Sequence, residues 1–83
     1  MAFNITYKSS VKRDLKRLSK ADAARVLDQL ENDLGKSPLD YPTLKGEFAG
    51  LRKYRVGDYR VIFAVLDGTV LVLRIGNRKD VYR

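Results

Sequence analysis

The chain has no cysteine and no histidine. Without cysteine there is no disulfide, no thiolate nucleophile and no sulfur ligand. Without histidine, a zinc site would need at least three carboxylates, so a resident metal is not expected. Any chemistry must come from Lys, Arg, Tyr or carboxylates. Long apolar runs are also missing. The longest is Val61-Ile62-Phe63-Ala64-Val65-Leu66, far short of the roughly 20 residues that span a bilayer. Met1-Ala2-Phe3-Asn4-Ile5 lacks the basic start and apolar stretch of a signal peptide. A soluble, cytoplasmic protein with no membrane partner is therefore expected. Acidic charge is scarce, with 10 Asp+Glu against 17 Lys+Arg and a formal net charge of +7. The excess is concentrated, net +2 in residues 1–42 and net +5 in residues 43–83. A basic C-terminal half draws phosphate-bearing partners. No pair of carboxylates is placed for acid–base work, no glycine-rich phosphate loop is present, and no small-molecule cofactor is implied.

With 83 residues the chain reads as one domain, 1–83. Phe3, Ile5 and Tyr7 alternate with polar residues and predict a strand near residues 2–7. Ser9 or Ser10 is placed to cap a helix carrying Val11, Leu15 and Leu18. Ser19 interrupts and caps a second helix, with Asp22 three residues on. Ala23, Val26, Leu27, Leu30 and Leu34 form its apolar stripe, and Gly35 is the expected stop, with Pro38 following. Residues 36–50 are a connector. Strands are expected over about Leu51–Val56, Tyr59–Leu66 and Thr69–Ile75, joined by tight turns at Gly57-Asp58 and Asp67-Gly68. The order β-α-α-β-β-β predicts an α+β fold, with a helix hairpin packed on one face of a mainly antiparallel sheet.

Strand alternation sorts the cations. Tyr54 and Val56 go to the core, Lys53 and Arg55 to the open face, and Arg60 joins that face from the next strand. Three like charges on one patch repel, and a polyanion among them relieves this; RNA is the leading candidate. The tail adds Arg78, Lys79, Tyr82 and Arg83, and a penultimate Tyr82 suits stacking on an exposed base. Each assignment has a plainer reading. Lys53, Arg55 and Arg60 also suit solvated strand positions. Arg78 could pair with Asp80 or Asp58, and Tyr82 could be a packing residue. The basic helix face of Lys12, Arg13, Lys16, Arg17 and Lys20 reads as solvated.

Three stretches together are specific: Leu44-Lys45-Gly46, the block Leu51-Arg52-Lys53-Tyr54-Arg55-Val56-Gly57-Asp58-Tyr59-Arg60-Val61-Ile62-Phe63, and the ending Ile75-Gly76-Asn77-Arg78-Lys79-Asp80-Val81-Tyr82-Arg83. With the element order, they resemble the RelE/ParE superfamily of bacterial and archaeal toxins, most closely its RelE branch. That resemblance implies a ribosome-dependent, metal-independent mRNA endoribonuclease cutting in the A site, neutralised by a cognate RelB-like antitoxin. It implies a catalytic set of Lys53, Arg55, Arg60, Arg78 and Tyr82, with Lys53 as candidate general base. Lys45, Arg52, Lys79 and Arg83 are the expected accessory RNA contacts. Asn77 stands where many members carry His, and an amide cannot transfer the proton. The alternatives are a ParE-like DNA gyrase inhibitor, a non-catalytic basic nucleic-acid-binding module, and an inactive relative kept as a binding partner.

Overall fold

A computed structural model describes residues 3–46 and 50–77. The elements run β1 (Asn4–Tyr7), α1 (Ser10–Lys16), α2 (Lys20–Lys36), a 3₁₀ turn (Pro38–Asp40), β2 (Arg52–Val56), β3 (Tyr59–Leu66) and β4 (Thr69–Asn77). Both helices lie against one four-stranded sheet of order β1-β4-β3-β2. β1 pairs parallel to β4, while the β2–β3 and β3–β4 pairings are antiparallel. The expected α+β architecture is the one observed.

Helix periodicity places the core. Val26, Leu30 and Leu34 of α2 are fully buried, and Val11 of α1 joins them. They meet Tyr54 and Val56 of β2, Val61 and Phe63 of β3, and Val70, Val72 and Ile75 of β4. Ser19 caps α2, its hydroxyl oxygen accepting from the Asp22 N–H at 3.1 Å. Ser9 holds the N-cap position of α1, but no side-chain cap bond forms there. Ser10 instead donates its hydroxyl to the Leu73 carbonyl at 2.9 Å and ties α1 to β4.

Gly35 departs from expectation. The helix continues through it to Lys36, and the Gly35 carbonyl accepts from the Phe3 N–H at 2.8 Å. A bond from the start of the chain thus replaces a left-handed stop. A Cβ at Gly35 would meet Ile5 Cδ1 and the Phe3 oxygen at an ordinary 4.0 Å. Gly35→Ala should therefore raise stability by about 0.5–1 kcal/mol through helix propensity alone, read as a higher urea midpoint at unchanged slope.

β4 is bulged where it passes Ile62 and Phe63 of β3. Val72 pairs with Phe63 and Ile75 with Val61, so two residues, Leu73 and Arg74, lie between core positions that would otherwise be separated by one. The extra residue returns Ile75 to the core side. At this place the buried carboxylate of Asp14 accepts from Arg74 Nε at 3.0 Å, Arg74 Nη2 at 3.3 Å and the Ile75 N–H at 2.9 Å. Nothing in the strand and helix periodicities announced this clamp, apart from one oddity: Asp14 sits within the apolar stripe of Val11, Leu15 and Leu18.

Among the described residues, no helix is long and apolar enough to cross a membrane.

Candidate functional site

The site begins with the β2–β3 turn. Gly57 takes φ +57°, which glycine adopts readily, and the two-residue turn sets the register. Val56 pairs with Tyr59, Arg55 with Arg60, Tyr54 with Val61 and Lys53 with Ile62. Because Tyr54 and Val56 are buried under the helices, pleating sends Lys53 and Arg55 to the opposite face. Arg60 stands directly across from Arg55, a spacing of about 4.5–5.5 Å between Cβ atoms. Arg55 is exposed, whereas Lys53 and Arg60 are half-buried.

These cations border a cleft of about 400 Å³ lined by Tyr41, Pro42, Lys53, Tyr54, Arg55 and Arg60. No carboxylate lines it among the described residues. Nor does any group of three or more carboxylates among them stand ready to hold a metal ion.

The connector closes part of the outer edge of β2. The Lys53 N–H donates to the Pro42 carbonyl at 3.1 Å, and the Leu44 N–H to the Leu51 carbonyl at 2.8 Å. Antiparallel ladders alternate inward and outward backbone groups. The backbone groups of Leu51 and Lys53 therefore point away from β3, and by the same alternation so do those of Arg55.

Arg52 lies at the root of this arrangement. Its Nη1 donates to the Tyr41 carbonyl at 2.7 Å and the Leu39 carbonyl at 3.3 Å, fastening the connector to β2. Lys45 is exposed in the connector and does not line the cleft. Arg78, Lys79, Tyr82 and Arg83 lie outside the described residues. Asn77 ends β4, paired with Tyr59.

Tyr41 and Pro42 carry no motif and were not singled out by sequence. Tyr41 sits edge-on to Tyr54, with ring centroids 5.1 Å apart at 85°, and to Phe63 at 6.4 Å. Tyr54 in turn donates its hydroxyl to Asp33 of α2. Burial, then the Asp33 carboxylate, pushes the Tyr54 phenol well above its ordinary range. Burial also raises Tyr41, helped by Asp33 and Asp40. Both rings are neutral at physiological pH.

The chain matches, over residues 5–82, the family described as ParE toxin of type II toxin–antitoxin system, parDE. It is 33% identical over 86 residues to Toxin RelG of Mycobacterium tuberculosis, covering 100% of this chain and 99% of that protein. The chain belongs to the RelE/ParE superfamily of type II toxin–antitoxin toxins. Two solved members of the superfamily carry the likeness into three dimensions. The toxin–antitoxin complex RelBE2 from M. tuberculosis contains a chain with TM-score 0.87 and 30% identity, covering 94% of this toxin and 100% of that chain. An archaeal RelE–RelB complex from Pyrococcus horikoshii gives TM-score 0.67 and 30% identity, with 96% and 99% covered.

Proposed function

We propose that this toxin is a ribosome-dependent endoribonuclease of the RelE type. The observation that carries the reading is the cluster of Lys53, Arg55 and Arg60 on one cleft whose described lining holds no carboxylate. Such a surface suits a phosphodiester. The ribose 2′-OH would attack the neighbouring phosphorus, forming the O2′–P bond as the P–O5′ bond breaks. The 5′ oxygen leaves with a proton taken from water, and the products are a 5′-OH and a 2′,3′-cyclic phosphate, which one further water opens to a 3′-phosphate. Charge gathers on the phosphoryl oxygens during this step, and the forked donors of Arg55 and Arg60 meet it. Lys53 is the cleft residue that can take a neutral amine form, and in that form its Nζ would accept the 2′-OH proton; Arg does not deprotonate in proteins. Arg78 and Tyr82 complete the proposed set, the first on the phosphate and the second stacked on a base. Arg52, Lys45, Lys79 and Arg83 are proposed as accessory RNA contacts, Arg52 chiefly through the connector it holds.

Orientation of the nucleophile is assigned to ribosomal RNA and the codon in the A site, a contribution of several kcal/mol. Free RNA should accordingly be cut slowly or not at all. The solved relatives RelBE2 and the archaeal RelE–RelB were captured as complexes with antitoxins. A RelB-like antitoxin is the proposed partner here, an acidic or amphipathic segment that folds over the basic face.

The family description, ParE toxin, favours a second reading as a DNA gyrase inhibitor. One experiment separates them. Primer extension on a translated mRNA is run with wild type, Arg60→Ala and Tyr82→Ala, beside a gyrase supercoiling assay. Codon-phased cuts in the wild type, lost in both variants, are the expected result. Intact mRNA with inhibited supercoiling would overturn the nuclease reading.

A further inference from the structure

The cleft has a wall that phosphate chemistry does not use. Tyr41 and Pro42 belong to the connector, yet they line the same space as Lys53, Arg55 and Arg60. Their backbone is pinned from two sides: Arg52 holds the Tyr41 carbonyl at 2.7 Å, and the Lys53 N–H holds the Pro42 carbonyl at 3.1 Å. The Tyr41 ring is braced edge-on against Tyr54. A wall held in this way exists before any ligand arrives, so little ordering is needed on binding. At about 400 Å³ the cleft falls within the range of small-ligand sites.

A phosphate alone would need only the cations. An acidic peptide supplies carboxylates for the cations, but a planar group only where it happens to carry an aromatic side chain. A nucleotide has both parts, a charged phosphate and a planar base that stacks on aromatic and apolar surfaces.

We propose that Tyr41 and Pro42 form a seat for the nucleobase adjoining the phosphate held by Lys53, Arg55 and Arg60. The connector before β2 thereby influences which nucleotides are cut. The second statement rests on the nuclease reading; the seat itself does not.

The probe is a short oligoribonucleotide containing 2-aminopurine, whose fluorescence falls when it stacks, together with the same oligonucleotide made abasic at that position. Wild type should quench the probe and bind the abasic version more weakly. Tyr41→Leu should weaken binding of the intact probe about 5- to 150-fold, the usual range for one lost stacking contact. Tyr41→Phe, which keeps the ring, should retain the quench. Pro42 is exposed, so Pro42→Ala tests the wall without disturbing the core. It should give a smaller loss in the same direction. Thermal melting of each variant separates a lost contact from a lost fold. On ribosomes, Tyr41→Leu and Pro42→Ala should broaden the nucleotide profile around the cut.

Unchanged quenching in folded Tyr41→Leu and Pro42→Ala overturns the seat, as does equal affinity of wild type for intact and abasic probes. A wild-type quench without cleavage on ribosomes would sink the nuclease reading and leave the seat standing. Cleavage without any quench would do the reverse.

Discussion

Asp14→Ala should lower the stability of this domain by about 3 kcal/mol, toward the small end of what breaking a buried ion pair costs. The carboxylate is 5% exposed and receives three hydrogen bonds, from Arg74 Nε, Arg74 Nη2 and the Ile75 N–H. Truncation leaves the buried Ile75 N–H without an acceptor and the Arg74 guanidinium without its counter-charge. The Arg74 side chain keeps 34% of its exposure, and water softens that part of the loss, which is why the lower figure applies. For a domain of this size, whose total is expected near the low end of about 5–15 kcal/mol, such a loss is large. The melting temperature should fall by about 10–25 °C. Asp14→Asn, which keeps an oxygen for the Ile75 N–H, should fall less. Replacing both partners with apolar residues, Asp14→Leu with Arg74→Met, should recover only the part of the loss that comes from the uncompensated Arg74 charge, because the Ile75 N–H still lacks its acceptor. An unfolding free energy for Asp14→Ala, read from urea titration, within about 0.5 kcal/mol of wild type, the range of ordinary surface changes, would refute the clamp.

The second large effect has two signs. Arg55→Thr should cut ribosome-dependent cleavage by about 10²- to 10³-fold, the loss typical of removing one donor from a developing oxyanion. The same change should leave stability unaltered or raise it by about 0.2–1 kcal/mol. Arg55 faces Arg60 directly across the β2–β3 ladder, and like charges at such a pair destabilise a sheet. Threonine also suits a strand better than a second cation does. A stability gain of this kind with a loss of cleavage is the result expected if the proposed phosphate lies between the two cations. The check pairs urea unfolding with primer extension on the same preparations. Cleavage and stability falling together would assign Arg55 a structural role. Full cleavage by Arg55→Thr would remove it from the proposed catalytic set.

Much of the fold was legible because two periodicities are unambiguous here. The stripe of Val26, Leu30 and Leu34 specifies one helix face, and Tyr54, Val56, Val61 and Phe63 specify one sheet face. Gly57-Asp58 and Asp67-Gly68 named both hairpin turns, and Asp67 and Gly68 take the positive φ values such a turn requires, +45° and +81°. From these turns the pairing of Arg55 with Arg60 follows by counting residues. The end of α2 was not legible. Gly35 has the right residue type for a stop, but the Phe3 N–H reaches its carbonyl and the helix continues. Tyr41 and Pro42 were equally hidden, because no local period runs through a connector. Their place in the cleft depends on Arg52, which sequence suggested as an RNA contact and which spends one nitrogen on two connector carbonyls.

By itself the sequence determined the element order, the hairpin register and the face on which Lys53, Arg55 and Arg60 stand, because these depend on residues close together along the chain. Only the tertiary structure decided the bulge that returns Ile75 to the core, the Asp14–Arg74 clamp and the connector wall of the cleft. Each of those depends on a hydrogen bond or packing contact between segments distant in sequence, where no repeating pattern records which partner will arrive.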